Sequence, residues 1–255
     1  MPPTVVLIRH AQALHNQTNN SIPDPVLSDL GIEQCAQLRQ SLIQRFSSFK
    51  GSIAIISSPM IRTLQTASLA AGWLVEERGV KIEADADWQE ISDKPCDVGT
   101  PIPSLVLIRD NHTAHQFGSP SYDFSAIHPL WPDKTASPIA RHLFGYTRSA
   151  VLRRGRRCLE KLRERPEDLV LVFTHSAFLR NGVSGWWYFN ADYRIFTFGE
   201  GEELVMDETT MEGGMGWSWA ERIELGSELP PDEEEEREAE KKVAALREAE
   251  LKGKN

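Results

Sequence analysis

Two apolar segments of the sequence end in histidine. The segment VVLIRH ends in Arg9 and His10, and the segment LVLVFTH ends in His175. Strand interiors favour Val, Leu and Ile, so each histidine marks the end of a predicted strand. Ligands of open α/β sheets bind just beyond the carboxyl ends of the strands. We therefore expect the two histidines to face each other across a shared pocket.

Two further chemistry-bearing residues follow predicted strands. Arg62 lies one turn into the helix that follows SIAIISS, and Glu90 ends the segment DADWQE. The guanidinium groups of Arg9 and Arg62 have the planar donor geometry that matches phosphate oxygens. His10, with a reference pKa of about 6.5, is substantially neutral near pH 7, so that one ring nitrogen can attack phosphorus.

The remaining members of the set complete a phosphoryl-transfer site. Glu90 can protonate a leaving oxygen if burial raises its pKa, and His175 can stabilise charge on the transferring group. The pattern predicts transfer through a phosphohistidine, with no metal because cationic side chains neutralise the phosphate. The segment HTAH at 112–115 has a spacing that could bind a metal on a helix, but its irregular polar context favours a solvated loop.

Strands and helices alternate along the chain, which predicts an α/β fold. We expect a single domain built as a three-layer sandwich, with a largely parallel central sheet flanked by helices. Ser28 is the expected N-cap of the first long helix; Ser58 and Pro59 are expected to start the second. The predicted strands are Thr4–Ile8, Ser52–Ser58, Lys81–Glu90, Asp168–His175, Tyr193–Gly199 and Gly216–Leu225. The predicted helices are Leu27–Phe46, Ser58–Ala71 and Pro138–Arg165, the last with a break at Gly145 or Gly155 left open.

Length and composition fit one globular domain with a charged tail. The chain has 255 residues, a formal net charge of −9 and a pI near 5.3, which argue against nucleic acid or an anionic membrane as a partner. We expect the domain at 1–228, with an irregular insertion at about 91–137, and a solvated tail at 229–255. Three widely spaced cysteines and the short N-terminal apolar run indicate a reducing, cytoplasmic location.

Several segments together resemble the histidine phosphatase superfamily, in the branch related to cofactor-dependent phosphoglycerate mutase. RHAQALHN resembles the opening motif R-H-G-x-x-x-x-N, which implies Arg9 as a phosphate ligand, His10 as the nucleophile and Asn16 as a pocket residue. LSDLGIEQCA, SSPMIRTLQTA, WQE and HSAFLR resemble later motifs in family order. They imply Arg62 as the second phosphate arginine and Glu90 as the proton donor. They also identify His175 as the histidine of the late family motif.

The resemblance has three departures that bear on activity. Ala11 replaces the usual glycine after the nucleophile, and Ser176 and Ala177 replace two glycines after the second histidine. The context of Glu90, WQEISDKPCDVG, lacks the R-E-R-x-Y-G pattern of mutases. We therefore expect a phosphomonoester phosphatase without a cofactor, acting on a small phosphorylated metabolite. The alternatives are a phosphoglycerate-type mutase and a catalytically silent phosphate-binding interaction protein.

The aromatic and basic clusters receive more ordinary interpretations. The aromatic residues of the insertion, including Tyr122, Phe124 and Trp131, are expected to shape the leaving-group side of the pocket, together with Phe117. WWYF at 186–189 is expected to pack in the core or at a sheet edge. RRGRR at 153–157 is expected to face solvent.

Overall fold

A seven-stranded sheet lies at the centre of the computed structural model, which describes residues 1–102, 104, 122–200 and 203–232. The order across the sheet is β4-β3-β2-β5-β1-β6-β7. Strands β1 to β5 run parallel, and β6 and β7 are antiparallel to their neighbours. The predicted, largely parallel α/β sheet is thus confirmed. The strands are β1 Thr4–Arg9, β2 Ile53–Ser57, β3 Ile82–Ala84, β4 Tyr122–Asp123, β5 Leu169–Thr174, β6 Tyr193–Phe198 and β7 Leu204–Met206.

Helices cover both faces of the sheet and complete the three layers. Side chains alternate along each strand, so that Val6 and Ile8 of β1 pack with α2 and α3, whereas Val5 and Leu7 pack with α5 on the other face. The helices are α1 Leu14–Gln17, α2 Asp29–Phe46, α3 Ile61–Arg78, α4 Pro138–Phe144, α5 Arg148–Arg163 and α6 Ser176–Phe178, which continues as a π-helical turn at Leu179–Val183. None of the described helices is long and apolar enough to cross a membrane.

The two predicted helix starts have different outcomes. Ser28 caps α2 as expected, since its Oγ accepts a hydrogen bond from the N–H of Gly31 at 3.1 Å. The predicted start of the next helix was wrong, because α3 begins at Ile61 after Met60. The Oγ of Ser58 instead lies 3.0 Å from Nε2 of His175, so this serine serves the site rather than the helix end.

Three predicted elements differ from those in the structure. β3 stops at Ala84 and not at Glu90, since the side chain of Asp85 caps a 3₁₀ turn that follows. The predicted helix Pro138–Arg165 is two helices, broken at Gly145, with Thr147 capping α5. The strand predicted at Gly216–Leu225 is absent from this described segment, which forms turns and a single bridge between Trp186 and Arg222.

The insertion contributes to the sheet and to packing where the structure describes it. β4 extends the sheet edge beside β3. Tyr122 and Phe124 pack with Ile61 and Leu64 of α3, and Trp131 lies in a separate apolar cluster. These three aromatic residues are therefore in packing contacts and do not line the site described below. Phe117 and the segment at 112–115 lie outside the described residues.

Candidate active site

The carboxyl ends of β1 and β5 open onto a cavity of about 560 Å³. Of the residues singled out in the sequence, Arg9, His10, Asn16 and Glu90 line this cavity. Arg62 and His175 are fully buried and lie behind the lining, each within reach of the His10 ring. All six predicted residues are thus brought together, four at the cavity wall and two beneath it.

His10 is a buried, neutral imidazole with a defined tautomer. Its Nδ1 lies 2.7 Å from the carbonyl oxygen of Ala11, and only a protonated nitrogen can donate to a carbonyl. Burial, with the nearby charges of Arg62 and Arg9, lowers the pKa of His10 well below 6.5. The ring is therefore uncharged near neutral pH, and its Nε2 carries the lone pair.

Two arginines flank this ring with different hydrogen-bonding patterns. Arg62 donates from Nε to His10 Nε2 at 3.3 Å and pairs through its guanidinium with Asp97 at 3.0 Å. Arg9 donates to the carbonyl of Tyr188 at 2.8 Å, whereas its buried Nε has no hydrogen-bond partner among the described residues. Burial lowers the pKa of Arg9 to about 10, so it remains a cation at neutral pH.

His175 lies against His10 at the end of β5. The two ring centroids are 5.2 Å apart, and Nε2 of His175 contacts the hydroxyl of Ser58. Burial and the charge of Arg62 lower the pKa of His175 well below 6.5, while its buried Nδ1 has no partner among the described residues. His175 is therefore a neutral neighbour of His10.

Glu90 is held by backbone amides at the start of α6. Its Oε1 accepts hydrogen bonds from the N–H groups of Ile91 and Phe178, both at 2.9 Å, and Oε2 accepts from Ala177 at 3.3 Å. Burial and the negative charge of Asp97 raise the pKa of Glu90 despite these bonds. The carboxyl group consequently keeps its proton to a higher pH than an exposed glutamate does.

Two buried cations fix the backbone at Glu90. Lys134 donates to the carbonyl oxygens of Glu90 and Ser92, both at 2.7 Å, and burial lowers its pKa to about 7. Arg154 donates to the carbonyl of Gln89 at 2.9 Å and lies 4.2 Å above the ring of Phe178. The interpretation of 153–157 as a solvent-facing surface was therefore wrong for Arg154, which no water reaches.

Asn16 bonds to the backbone at the start of α1 and also lines the cavity. Its Oδ1 accepts from the N–H of Ala13 at 3.0 Å at the start of α1, and its Nδ2 lies 3.1 Å from Nε2 of His15. His15 also lines the cavity, with its ring 5.9 Å from that of His10. The sequence reasoning missed His15, although it lies in the same segment RHAQALHN.

The three residues that replace glycines leave the cavity open. Ala11 is buried, and its N–H donates to the hydroxyl of Thr66 at 3.0 Å. Ser176 donates to the carbonyl of Tyr188, and Ala177 presents its N–H to Glu90. The added side chains are thus accommodated without filling the space beside His10.

The cavity mouth is formed by residues that sequence reasoning did not assign to the site. Trp187 and Trp219 line it, with their rings stacked at 4.2 Å and 16°. The packing predicted for WWYF holds for Tyr188, which is fully buried, but not for Trp187. The sequence does not predict that Trp187 and Trp219 are in contact, because the chain after β7 returns to the cavity and brings the two rings together. The other charged residues of the lining that were missed are Lys94, Asp97, Arg180 and Glu228.

Comparisons with known proteins identify relatives of most of the chain. Residues 5–196 match the family model described as the histidine phosphatase superfamily, branch 1. A Schizosaccharomyces pombe protein named as a probable phosphatase is 28% identical over 182 residues, which are 69% of this chain and 76% of the relative.

Solved structures match over a similar span. YhfR of Bacillus stearothermophilus aligns over 80% of this chain and 95% of its own, with 17% identity and a TM-score of 0.51. A phosphoserine phosphatase of Entamoeba histolytica, solved with phosphoserine, aligns over 80% and 94%, with 17% identity and a TM-score of 0.49. The match to YhfR shows a shared fold.

Proposed function

Because this chain belongs to branch 1 of the histidine phosphatase superfamily, we propose that it is a metal-independent phosphomonoester phosphatase acting through a phosphohistidine. The observation that carries the proposal is the state of His10. Its Nδ1–H is bonded to Ala11, so Nε2 is unprotonated, and the long 3.3 Å hydrogen bond that its lone pair accepts from Arg62 must break before attack. A neutral nucleophile beside fixed cations suits attack on a dianionic phosphate.

The first step transfers the phosphoryl group to His10. Nε2 attacks phosphorus, the bond from phosphorus to the ester oxygen breaks, and Glu90 gives its proton to the leaving oxygen. Arg9, which lines the cavity, binds the phosphoryl oxygens, and the buried guanidinium of Arg62 stabilises their charge from beneath the cavity wall. The raised pKa of Glu90 supports its role as the acid.

The second step hydrolyses the intermediate. Glu90, now a carboxylate, takes a proton from water as the water oxygen attacks phosphorus, and the bond from phosphorus to Nε2 breaks. Free phosphate and neutral His10 are regenerated. Asn16, which lines the cavity, binds phosphoryl oxygens during both steps, and His175 acts from beneath the wall, against the ring of His10.

The substrate class follows from the size of the cavity. A volume of about 560 Å³ suits a phosphoryl group with a small organic alcohol. We take residues 1–228 as the catalytic domain, including the insertion at about 91–137, and 229–255 as a solvated tail. The three described cysteines are free and buried, as expected of a chain in the reducing cytoplasm.

The test is hydrolysis of p-nitrophenyl phosphate, with and without EDTA, by wild type and by His10→Ala. We expect turnover that EDTA does not change and that falls by about a thousandfold or more in the variant. His142→Ala is the matched control, since His142 is exposed and does not line the cavity.

Two results would contradict the proposal. One is full turnover by His10→Ala, and the other is loss of wild-type activity in EDTA. Transfer of the phosphoryl group to an alcohol in preference to water would favour the mutase. Binding of vanadate without turnover of any monoester would favour the silent phosphate-binding protein.

A further inference from the structure

The outer wall of the cavity comes from chain beyond the family-matched residues. The match ends at residue 196, whereas Trp219 and Glu228 lie in the segment 216–229, which returns to the cavity after β7. This wall is therefore not accounted for by the residues that the chain shares with the family model. Trp219 and Glu228 line the same cavity as His10 and Glu90.

The returning segment brings an aromatic surface to the cavity. The rings of Trp187 and Trp219 stack at 4.2 Å and 16°, and Phe189 contacts Trp187 edge to face at 5.9 Å. Trp219 remains 60% exposed despite this contact. An exposed tryptophan at a cavity mouth, supported from behind by a second one, offers a flat apolar face to a ligand.

This surface is held in place before any ligand arrives. Buried Arg194 donates to the carbonyl of Trp219 at 2.8 Å, which fixes the backbone at the ring. Arg180 forms a bidentate ion pair with Glu228, with both contacts at 2.8 Å. This pair connects the segment 216–229 to the turn after α6. A preformed surface loses little conformational entropy on binding.

We propose that Trp219, supported by Trp187, stacks on an aromatic ring in the leaving group, so that the enzyme selects aryl phosphomonoesters over aliphatic ones. The inference rests on the proposed phosphatase activity. A ring parallel to the two indoles continues their stack, and the cavity has room for a phosphoryl group together with such a ring. Trp219 is then a specificity-determining residue.

Binding of phosphonates tests the aromatic surface without requiring turnover. The probes are phenylphosphonate, which carries a ring, and methylphosphonate, which does not, titrated by calorimetry. We expect Trp219→Ala and Trp219→Leu to weaken phenylphosphonate binding about tenfold and to leave methylphosphonate binding unchanged. Trp219→Phe should retain most of the affinity for phenylphosphonate, because a phenyl ring still stacks.

Trp217→Ala is the matched control. Trp217 lies in the same segment but contacts Phe189 and does not line the cavity, so its loss should change neither affinity. Equal weakening by Trp217→Ala and Trp219→Ala would overturn the proposal, since it would mean that displacement of the segment causes the effect. Retention of wild-type phenylphosphonate affinity in Trp219→Leu would overturn it as well.

Turnover separates this inference from the function on which it rests. The ratio of kcat/KM for phenyl phosphate to that for methyl phosphate should fall about tenfold in Trp219→Ala relative to wild type, because the intrinsic reactivity of each ester cancels in the comparison. An unchanged ratio would overturn the aromatic site while leaving the phosphatase intact. Failure of wild type to hydrolyse either ester would overturn the phosphatase, and the phosphonate titrations would still decide the aromatic site.

Discussion

At the scale of single residues, burial sets opposite protonation states on the acid and the nucleophile. It lowers the pKa of His10 and His175 and raises that of Glu90, because in each case the charged form is disfavoured. The charge of Arg62 also lowers the pKa of both histidines, and the charge of Asp97 also raises that of Glu90, although Arg62 and Lys134 oppose this rise. A neutral imidazole and a protonated carboxyl group thus coexist in one cavity, which is the pairing that the first chemical step needs.

The raised pKa of Glu90 predicts an alkaline decline in kcat/KM that begins at a higher pH than an ordinary glutamic acid would give. As pH rises through that pKa, the acid is lost and kcat/KM falls; as pH falls, His10 stays neutral until well below 6.5. Glu90→Gln should abolish the alkaline decline and reduce turnover of methyl phosphate by about a hundredfold or more. For p-nitrophenyl phosphate, whose leaving group needs little protonation, the loss of kcat/KM, which reports the first step, should be under about tenfold, whereas kcat should fall further because the second step loses its base. Profiles of kcat/KM against pH for the two esters provide the measurement.

Glu83→Gln serves as the control for that substitution. Glu83 is on β3 and forms an ion pair with Arg165, outside the cavity, so its replacement should leave the pH profile unchanged. Ionisation of the substrate contributes equally to every variant and cancels. An alkaline decline of the same size in Glu90→Gln would show that another group causes it, with Lys134, whose pKa burial lowers to about 7, the first to examine.

At the scale of elements, a glycine sets how closely α5 packs on the turn that follows α6. A Cβ at Gly155 would lie 1.7 Å from the carbonyl oxygen of Gly182, so the two backbones touch there. Gly72, in the middle of α3, has nothing within 4 Å of the same position. The two helical glycines therefore differ in tertiary contact while sharing the same low helix propensity.

Alanine at these two positions should have opposite effects on stability. Gly155→Ala should lower the free energy of unfolding by about 2–3 kcal/mol, because α5 must move away from the turn. It should also lower kcat, since that turn continues the α6 amides that bind Glu90. Gly72→Ala should raise stability by about 0.5–1 kcal/mol and leave kcat unchanged. Urea unfolding and p-nitrophenyl phosphate turnover measure both effects; a shift of the same sign in the two variants would contradict this account of Gly155.

The elements that sequence reasoning located correctly are those with a continuous apolar run. β1, β2 and β5 are buried on both faces, and a strand buried in this way has a continuous apolar sequence that is enough to predict it. The segment at 216–225 has the aromatic composition of a strand, yet its backbone N–H groups at Met215 and Trp217 bond to the carboxylate of Asp192 rather than to a neighbouring strand. Propensity does not report such a long-range polar partner, which is why that strand was predicted and does not form.

At the scale of the whole molecule, the cavity combines the family-matched core with a returning C-terminal segment. The six predicted site residues all lie within 5–196, where motifs keep a fixed order, and they could be identified from one sequence. Trp219 and Glu228 could not be identified in this way, because they reach the cavity only when the chain after β7 packs back against the folded sheet. The grouping of these six residues at one cavity was therefore predictable from the sequence, whereas the surface proposed to select the substrate was not.

Asp192 connects the family-matched core to the returning C-terminal segment. Its Oδ1 accepts from the N–H groups of Tyr193 and Met215, and its Oδ2 accepts from Trp217 and from the hydroxyl of Ser218, at distances of 2.7–3.1 Å. An asparagine keeps one acceptor oxygen and presents an N–H₂ group to the other two donors. The buried carboxylate therefore anchors the segment that carries Trp219, and no neutral isostere can replace all four bonds.

Asp192→Asn should detach this segment while leaving the sheet folded. We expect the free energy of unfolding to fall by about 2–4 kcal/mol, since charge-assisted bonds are lost and a buried donor faces other donors. Limited proteolysis should then cut within 211–229 first, as mass spectrometry of the fragments would show. Asp133→Asn is the control, because both bonds of Asp133 go to a single oxygen, Oδ1, which asparagine retains. Cleavage of Asp192→Asn outside 211–229, or a stability equal to that of Asp133→Asn, would mean that the segment is held by other contacts, with Arg180–Glu228 the first to examine.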